Sequence, residues 1–150
     1  MLLRNLLATI VLLTVATLAY VRLAPVDPAR WHVDLATARP AALARPAADG
    51  KVQALAGGAY ADLPLSSADA TSRLTRLDAI ALATPRTRRF AGNPAQGHVT
   101  WQTRSLIWGF PDYTTAQITP QGLTLYARLR FGGGDMGVNA KRLTGWLAAL

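Results

Sequence analysis

The chain has 150 residues, a formal net charge of +8 and no cysteine. Its length suits one ordinary domain with one hydrophobic core, once the amino-terminal segment described next is set aside. The lack of cysteine excludes a disulfide framework, a thiol nucleophile and a thiolate metal site.

The first predicted element is an apolar helix at the amino terminus. The run Leu6–Val21 has no charge and lies between Arg4 and Arg22. As a helix it spans roughly 26 Å, slightly less than a hydrocarbon core of about 30 Å, and the flanking arginines can snorkel to the interfaces. We predict a transmembrane anchor, or an uncleaved signal, over residues 1–23. A cleaved signal peptide and a buried helix of a soluble domain remain alternatives.

Two features of the sequence give opposite indications of the side of the membrane on which the domain lies. Arg22, Arg30 and Arg39 follow the apolar run, which favours the cytoplasm under the positive-inside rule. The basic start followed by an apolar core is instead organised like an export signal. We expect a periplasmic domain, and the cytoplasmic side remains open.

An Ala- and Pro-rich tether is predicted over residues 24–50, and a single α+β domain over residues 51–150. Pro25, Pro28 and the prolines that follow interrupt any continuous helix, so the tether is expected to be semi-extended and to reach away from the bilayer. The short cluster Trp31–Asp34 interrupts it, and we expect this cluster to dock into the domain.

The domain is predicted to begin with a helix over Ala68–Ala83. Ser66 or Ser67 can cap it, and Asp69 in the first turn suits the helix dipole. Apolar residues recur at intervals of three and four and form one buried stripe: Leu74, Leu77, Ile80 and Ala81.

From Thr87 the hydrophobic period changes to two, which indicates strands. Four strands are predicted, over Thr87–Ala91, Val99–Trp108, Tyr113–Thr119 and Gly122–Phe131, and a last helix over Asn139–Ala149. Alternation along the fourth strand predicts one core face and one solvated face. The predicted fold is α+β, with an antiparallel sheet of about four strands covered on one face by two helices and preceded by a transmembrane helix.

A glycine-rich turn joins the last strand to the last helix. Gly132–Gly137 matches the spacing of a dinucleotide-binding loop, but no acidic residue follows Asp135 and the chain has no room for the required next strand. We therefore interpret the segment as a flexible turn in which Asp135 or Asn139 caps the helix.

The positive charge is concentrated in the second half of the chain. Residues 86–150 hold 8 basic and 2 acidic side chains, against 8 and 6 in residues 1–85. Arg128 and Arg130 are predicted to lie on the solvated face of the fourth strand, with Arg104 beside them. Because a guanidinium binds two phosphate oxygens at once, this face is predicted to bind anionic lipid or an acidic protein. A merely solubilising surface is the alternative.

Catalysis and nucleic-acid binding find little support. His32 and His98 are far apart in sequence, no zinc-ligand spacing is present and no nucleophile-elbow motif surrounds a serine. Tyr126 is the one clear aromatic candidate among the arginines, which disfavours a nucleic-acid surface. We expect a non-catalytic binding module without cofactor or metal. The alternative is an enzyme acting on an envelope small molecule, with Asp112 and Asp135 in its site.

Two loop motifs, Gly109–Thr115 and Phe131–Asn139, together with Arg30–Asp34, carry a resemblance to a known family. From about residue 30 to residue 150 the chain resembles a bacterial family of uncharacterised proteins, domain of unknown function fourteen-ninety-nine, including alphaproteobacterial members with the same amino-terminal hydrophobic segment. The resemblance supports a single domain and implies no established activity. Together with the apolar run, it leads us to expect a single-pass protein of the bacterial inner membrane. It adds loop positions to the predicted site, which comprises Arg104, Asp112, Tyr113, Arg128, Arg130, Asp135 and Asn139.

Overall fold

The computed structural model describes residues 1–37, 40–43 and 50–150, and it has the predicted α+β fold. Its elements in chain order are α1 (Leu2–Leu23), the short helix α2 (Pro28–Trp31), β1 (Gln53–Leu55), β2 (Gly58–Leu63), α3 (Ser67–Ala83), β3 (Thr87–Asn93), β4 (His98–Arg104), β5 (Pro111–Thr119), β6 (Gly122–Leu129) and α4 (Val138–Ala148). The domain boundary at residue 50 remains a prediction.

Helix α1 is long and apolar enough to cross a membrane. It has 22 residues, and an 18-residue window within it has a mean hydropathy of 2.1. Most of its side chains contact nothing else in the protein, and Val21 near its carboxyl end is the one that is buried. These properties fit a single-pass anchor or a signal sequence.

The antiparallel sheet has six strands instead of about four, in the order β1-β2-β6-β5-β4-β3. The two additional strands, β1 and β2, escaped prediction because they are short and contain alanine and glycine, which have low strand propensity. Gly58 in β2 is required by packing, since a Cβ there would lie 2.1 Å from the carbonyl oxygen of Ala127 in β6. The absence of a side chain thus allows β2 to pair with β6.

The four predicted strands all exist, but two end earlier than predicted. β4 ends at Arg104 and β6 at Leu129. After Arg104 the chain leaves the sheet because the backbone N–H of Ser105 bonds to the carbonyl oxygen of Phe110 at 2.9 Å, which closes a loop. The bulky residues that suggested a longer β4 therefore lie in this loop, which spans residues 105–110.

Helices α3 and α4 cover one face of the sheet and form the main core with it. Leu74 and Leu77 of α3 and Leu143 of α4 are fully buried there, and Trp101 of β4 meets Trp146 edge-on at 5.6 Å. Ser66 caps α3 as predicted: its Oγ accepts a hydrogen bond from the Asp69 backbone N–H at 3.2 Å. The other candidate cap, Ser67, is the first residue of the helix.

One carboxylate lies in this core. Asp78 of α3 accepts a hydrogen bond from Nε1 of buried Trp101 at 2.8 Å and pairs with the Arg89 guanidinium of β3. Because water does not reach the buried indole N–H of Trp101, Asp78 supplies its hydrogen-bond acceptor.

The opposite face of the sheet is covered by residues 24–37, which we call the strap. Trp31 is buried and stacks on Tyr113 of β5 at 4.5 Å between ring centroids, which confirms docking of its cluster. The backbone N–H of Leu35 donates to Oε1 of Gln117 at 2.6 Å. The prediction of a solvated face is wrong, because the strap packs on it instead of reaching away. The predicted tether residues 38–39 and 44–49 lie outside the described residues.

Two histidines join the strap to β4. The rings of His32 and His98 stack with centroids 3.6 Å apart; His32 Nδ1 hydrogen-bonds to Thr100 Oγ1 at 2.8 Å, and His98 Nε2 to the carbonyl oxygen of Val33 at 3.0 Å. Burial lowers the pKa of His32. Burial lowers the pKa of His98 too, and the proximity of His32 lowers it further, against opposing effects of the Val33 carbonyl and Asp34.

From the stacked rings of His32 and His98 we predict that acid weakens the contact between strap and sheet. Because both pKa values lie below the ordinary value of about 6.5, the folded chain favours neutral rings, so its stability is complete above that pH and falls as the pH drops below it. The loss is at most about 1.4 kcal/mol per pH unit for each histidine protonated only on unfolding.

The measurement is the midpoint of thermal unfolding of the full chain between pH 5 and pH 7.5, with His98→Gln as the matched variant. We expect a flatter profile in the variant. Asp34 does not affect this measurement. The pKa of its carboxyl is lowered, mainly by the hydrogen bond from the Thr37 hydroxyl, so its contribution to stability is lost only below about pH 4. Identical profiles for the two proteins would contradict the prediction.

Candidate functional site

The carboxyl end of α1 packs against one end of the sheet. Arg104 donates from Nη2 to the carbonyl oxygen of Arg22 at 3.2 Å, and Arg130 donates to the carbonyl oxygens of Ala24 and Pro25 at 3.3 and 2.7 Å. The last carbonyls of a helix have no partners within it, and cations are favourable there. Two arginines of the sheet thus hold the end of the apolar helix beside the domain.

A cavity of about 410 Å³ lies at this junction, and we call it the arginine pocket. Its lining comprises Arg22, Arg86, Thr87, Arg88, Arg104, Ser105, Leu106 and Gly109. The pairing of β3 with β4 places Arg88 opposite Gln102, and its last pair is Thr87 with Thr103. Arg86, just before β3, and Arg104, at the end of β4, therefore lie side by side next to Arg88. Arg22 joins them from α1.

Hydrogen bonds fix each guanidinium of the sheet. Arg104 donates from Nη1 to the Gly109 carbonyl at 2.8 Å. Arg86 donates from Nε to the Arg104 carbonyl at 3.1 Å, and Arg88 from Nε to Oε1 of Gln102 at 3.0 Å. Among the described residues, the hydrogen bonds that Arg86 and Arg88 donate come from Nε and not from Nη1 or Nη2. The pocket is therefore partly preorganised.

The pocket has an unbalanced positive charge. None of the described residues that line it is acidic. Burial lowers the pKa of Arg104, and neighbouring Arg88, Arg22 and Arg130 lower it further, while Tyr113 acts in the opposite direction. Four cations that repel one another in a partly enclosed space are stabilised when an anion enters.

The other predicted arginines are engaged by the strap. Arg128 is partly buried, lies over the Trp31 ring at 4.5 Å and donates from Nη2 to the carbonyl oxygen of Arg30. Arg130 binds the strap's first carbonyls, as described above. Neither lines the arginine pocket, so of the three arginines predicted together only Arg104 does.

A second cavity of about 460 Å³ lies nearby and contains both predicted carboxylates. It is lined by Ser105, Trp108, Phe110, Asp112, Leu129, Phe131, Gly132, Gly134, Asp135, Met136 and Val138. Asp112 accepts a hydrogen bond from Arg142 of α4 at 3.1 Å, and Arg142 also donates to Oδ1 of Asn139 at 2.6 Å. Burial raises the pKa of Asp112, and the Arg142 charge opposes this shift.

The remaining predicted residues have structural partners. Asp135 accepts hydrogen bonds from the backbone N–H groups of Gly137 and Asn139 at 3.0 and 2.9 Å, so it satisfies amides at the start of α4. The N-cap residue is nevertheless Gly137, and not Asp135 or Asn139 as predicted. Asn139 is buried inside that helix, and Tyr113 is buried beneath Trp31. Six of the seven predicted residues are therefore divided among the arginine pocket, the strap contacts and the second cavity, and the seventh, Asn139, bonds to Arg142 within α4.

Sequence reasoning missed the grouping of Arg22 with Arg86 and Arg88. The charge excess in residues 86–150 predicts a basic side, but the sequence assigns Arg22 only to the flank of the apolar run and to its orientation. The position of Arg22 was a usable signal, because it lies where the apolar helix meets the domain. Among the described residues, no group of three or more histidines or carboxylates could hold a metal ion.

Residues 32–150 match the model of a protein family described as "Protein of unknown function (DUF1499)". The chain belongs to this family. No curated protein and no solved structure matches it. The part that matches the DUF1499 family begins at His32, inside the strap, and includes Arg86, Arg88 and Arg104 of the arginine pocket. The DUF1499 match thus covers the sheet, its two covering helices and most of the strap cluster that contacts the sheet.

Proposed function

We propose that the protein is a membrane-anchored binding module that holds the phosphate headgroup of an anionic lipid in the arginine pocket. The observation that carries this proposal is that four arginine residues line one cavity at the end of an apolar helix. The predicted basic site is thereby moved from the outer face of β6 to the membrane-proximal ends of β3 and β4.

The location favours a lipid over a soluble anion. Arg22 lies in the last turn of α1, where a membrane helix reaches the headgroup region. Each basic residue near an anionic membrane surface contributes about 1 kcal/mol of attraction. Arginine adds geometry to charge, because its planar fork donates two parallel hydrogen bonds to a phosphate.

The test uses the full chain in neutral detergent micelles and follows its thermal unfolding. We expect short-chain phosphatidylglycerol to stabilise the protein more than short-chain phosphatidylcholine does, since a ligand that binds only the folded state raises its stability. In Arg86→Gln/Arg88→Gln the apparent Kd for phosphatidylglycerol should rise roughly 30-fold, from the loss of two such charges.

The matched control is Arg73→Gln, on the exposed surface of α3, which should bind as the unaltered protein does. Inorganic phosphate distinguishes the two sources of the anion: stabilisation by phosphate alone, at lipid-like concentrations, would indicate a soluble ligand. Equal stabilisation by both lipids, or an equal loss in the control, would contradict the proposal. Loss of stabilisation at high salt is also expected, because the attraction is electrostatic.

An enzymatic role is the second candidate, favoured by one observation. Asp112 and Asp135 line the same cavity, as an active site with paired carboxylates requires. Burial raises the pKa of Asp112, which suits a general acid. The carboxylates also have structural partners, Asp112 with Arg142 and Asp135 with two backbone amides. We therefore rank binding in the arginine pocket first.

A further inference from the structure

The exposed apolar side chains of the domain are concentrated in one place. Outside Met1 and α1, the exposed large hydrophobic residues among those described are Leu82 of α3 and six others, namely Leu106, Ile107, Trp108, Phe110, Met136 and Val138. These six lie in or beside two loops, residues 105–110 and the turn before α4, and we call them the apolar rim. Leu106 and Ile107 are each 73% exposed and Met136 is 99% exposed.

Such an exposure is unfavourable in water unless the surface has an apolar partner. Leu106, Ile107 and Trp108 are consecutive, and the loop that presents them is closed by the bond between Ser105 and Phe110. A further bond from the Phe110 backbone N–H to Ser105 Oγ, at 3.0 Å, fixes the loop at the same point. The rim is thus presented by a hydrogen-bonded loop.

The apolar rim is continuous with the end of α1. Phe110 of the rim contacts Phe131 with ring centroids 6.1 Å apart, and Phe131 contacts Tyr20 of α1 at the same separation. Within the loop, Gly109 approaches the Arg22 side chain so closely that a Cβ there would lie 2.9 Å from its Nε. Whatever surrounds the last turn of α1 therefore also meets the rim.

We infer that the apolar rim inserts into the interfacial layer of the bilayer that α1 spans, as a second membrane contact that holds the domain against the surface. Aliphatic side chains and an exposed tryptophan are what this layer accepts. Leu106 borders the arginine pocket, and Ser105 borders both cavities. Apolar and cationic groups thus lie side by side, as the acyl chains and the phosphate of a lipid do.

This contact rests on the anchoring by α1 that the proposed function assumes, but it does not require a headgroup in the arginine pocket. A neutral bilayer therefore tests it separately. If the rim inserts into phosphatidylcholine and phosphatidylglycerol has no preferential effect in the assay above, only the headgroup proposal fails. If phosphatidylglycerol binds and the rim does not insert, only the present inference fails.

The chain offers a native probe for the experiment. Of its four tryptophans, Trp31, Trp101 and Trp146 are buried, whereas Trp108 in the rim is 52% exposed. The full chain is reconstituted in phosphatidylcholine vesicles whose acyl chains are brominated near the headgroup, since bromine quenches tryptophan on contact. We expect brominated lipid to quench the emission, and Trp108→Phe to reduce the quenched fraction by more than about twofold, because the other indoles are shielded from lipid.

A second variant tests the rim without altering the probe. In Leu106→Ser/Ile107→Ser both side chains are exposed, so folding should be kept, which circular dichroism checks, while quenching of Trp108 should fall. Two results together would overturn the inference. Brominated lipid would leave the emission unchanged, and aqueous iodide would quench Trp108 as strongly in vesicles as in micelles. That result would mean that the rim faces water or another protein.

Discussion

Trp31→Ala will lower the free energy of unfolding by about 3–5 kcal/mol, the usual cost of truncating a buried tryptophan to alanine. The indole is 6% exposed, and it lies 4.5 Å from the Tyr113 ring and 4.5 Å from the Arg128 guanidinium. Its removal leaves a cavity between strap and sheet and exposes Tyr113. We expect the strap to become the first segment that a protease cleaves.

Limited trypsin digestion of the full chain measures this effect, because Arg30 lies in the strap next to Trp31. The fragment that starts after Arg30 should appear many times faster in Trp31→Ala than in the unaltered chain, and the unfolding midpoint should fall with it. Trp31→Phe is the matched control, since it keeps a ring on Tyr113 and should lose less than half as much stability. Equal cleavage in both variants would show that the stack does not hold the strap.

The second large effect is expected at Asp78. Asp78→Ala should destabilise the protein by about 3 kcal/mol, because it leaves the Trp101 N–H without a partner in the core and Arg89 without its counter-ion. Arg89 is 40% exposed as a side chain, so water can replace its partner, whereas Trp101 is fully buried. Most of the loss should therefore come from the indole.

Two further variants separate these contributions by thermal unfolding. Arg89→Gln removes the charge partner but leaves the buried Asp78 carboxylate its hydrogen bond from Trp101, so it should cost less than Asp78→Ala. Asp78→Ala combined with Trp101→Phe removes both the acceptor and the donor, so it should cost less than the sum of its two single variants. An Arg89→Gln loss as large as that of Asp78→Ala would assign the stabilisation to the ion pair instead.

The arginine pocket and the apolar rim lie together at the end of the domain that adjoins α1. Both adjoin the last turn of α1, and neither depends on the strap face on which Arg128 and Arg130 were predicted to bind a ligand. Those two arginines instead satisfy carbonyl groups of the strap. The strap in turn links α1 to the sheet, so the predicted acid sensitivity of the pair His32 and His98 bears on how firmly the strap is held on the sheet.

Local patterns in the sequence determined most of the longer elements of this fold. The period-two alternation of Gly122–Leu129, the apolar stripe of α3, the Ser66 cap and the uncharged run of α1 each depend on residues close together in the chain. Steric and hydrogen-bonding preferences act over such distances whatever the rest of the chain does, so these predictions hold apart from strand ends. The resemblance to the family rests likewise on contiguous loop motifs.

Only the tertiary structure decided which surfaces are covered and which charges meet. Alternation shows that β6 has two faces, but not that Trp31, more than ninety residues earlier in the chain, lies on the outer one. β1 and β2 lack strand propensity, and it is pairing with β6 that makes them strands. The arginine pocket depends on the register of β3 against β4 and on the position of Arg22, and contacts between such distant residues leave no periodic trace in the sequence.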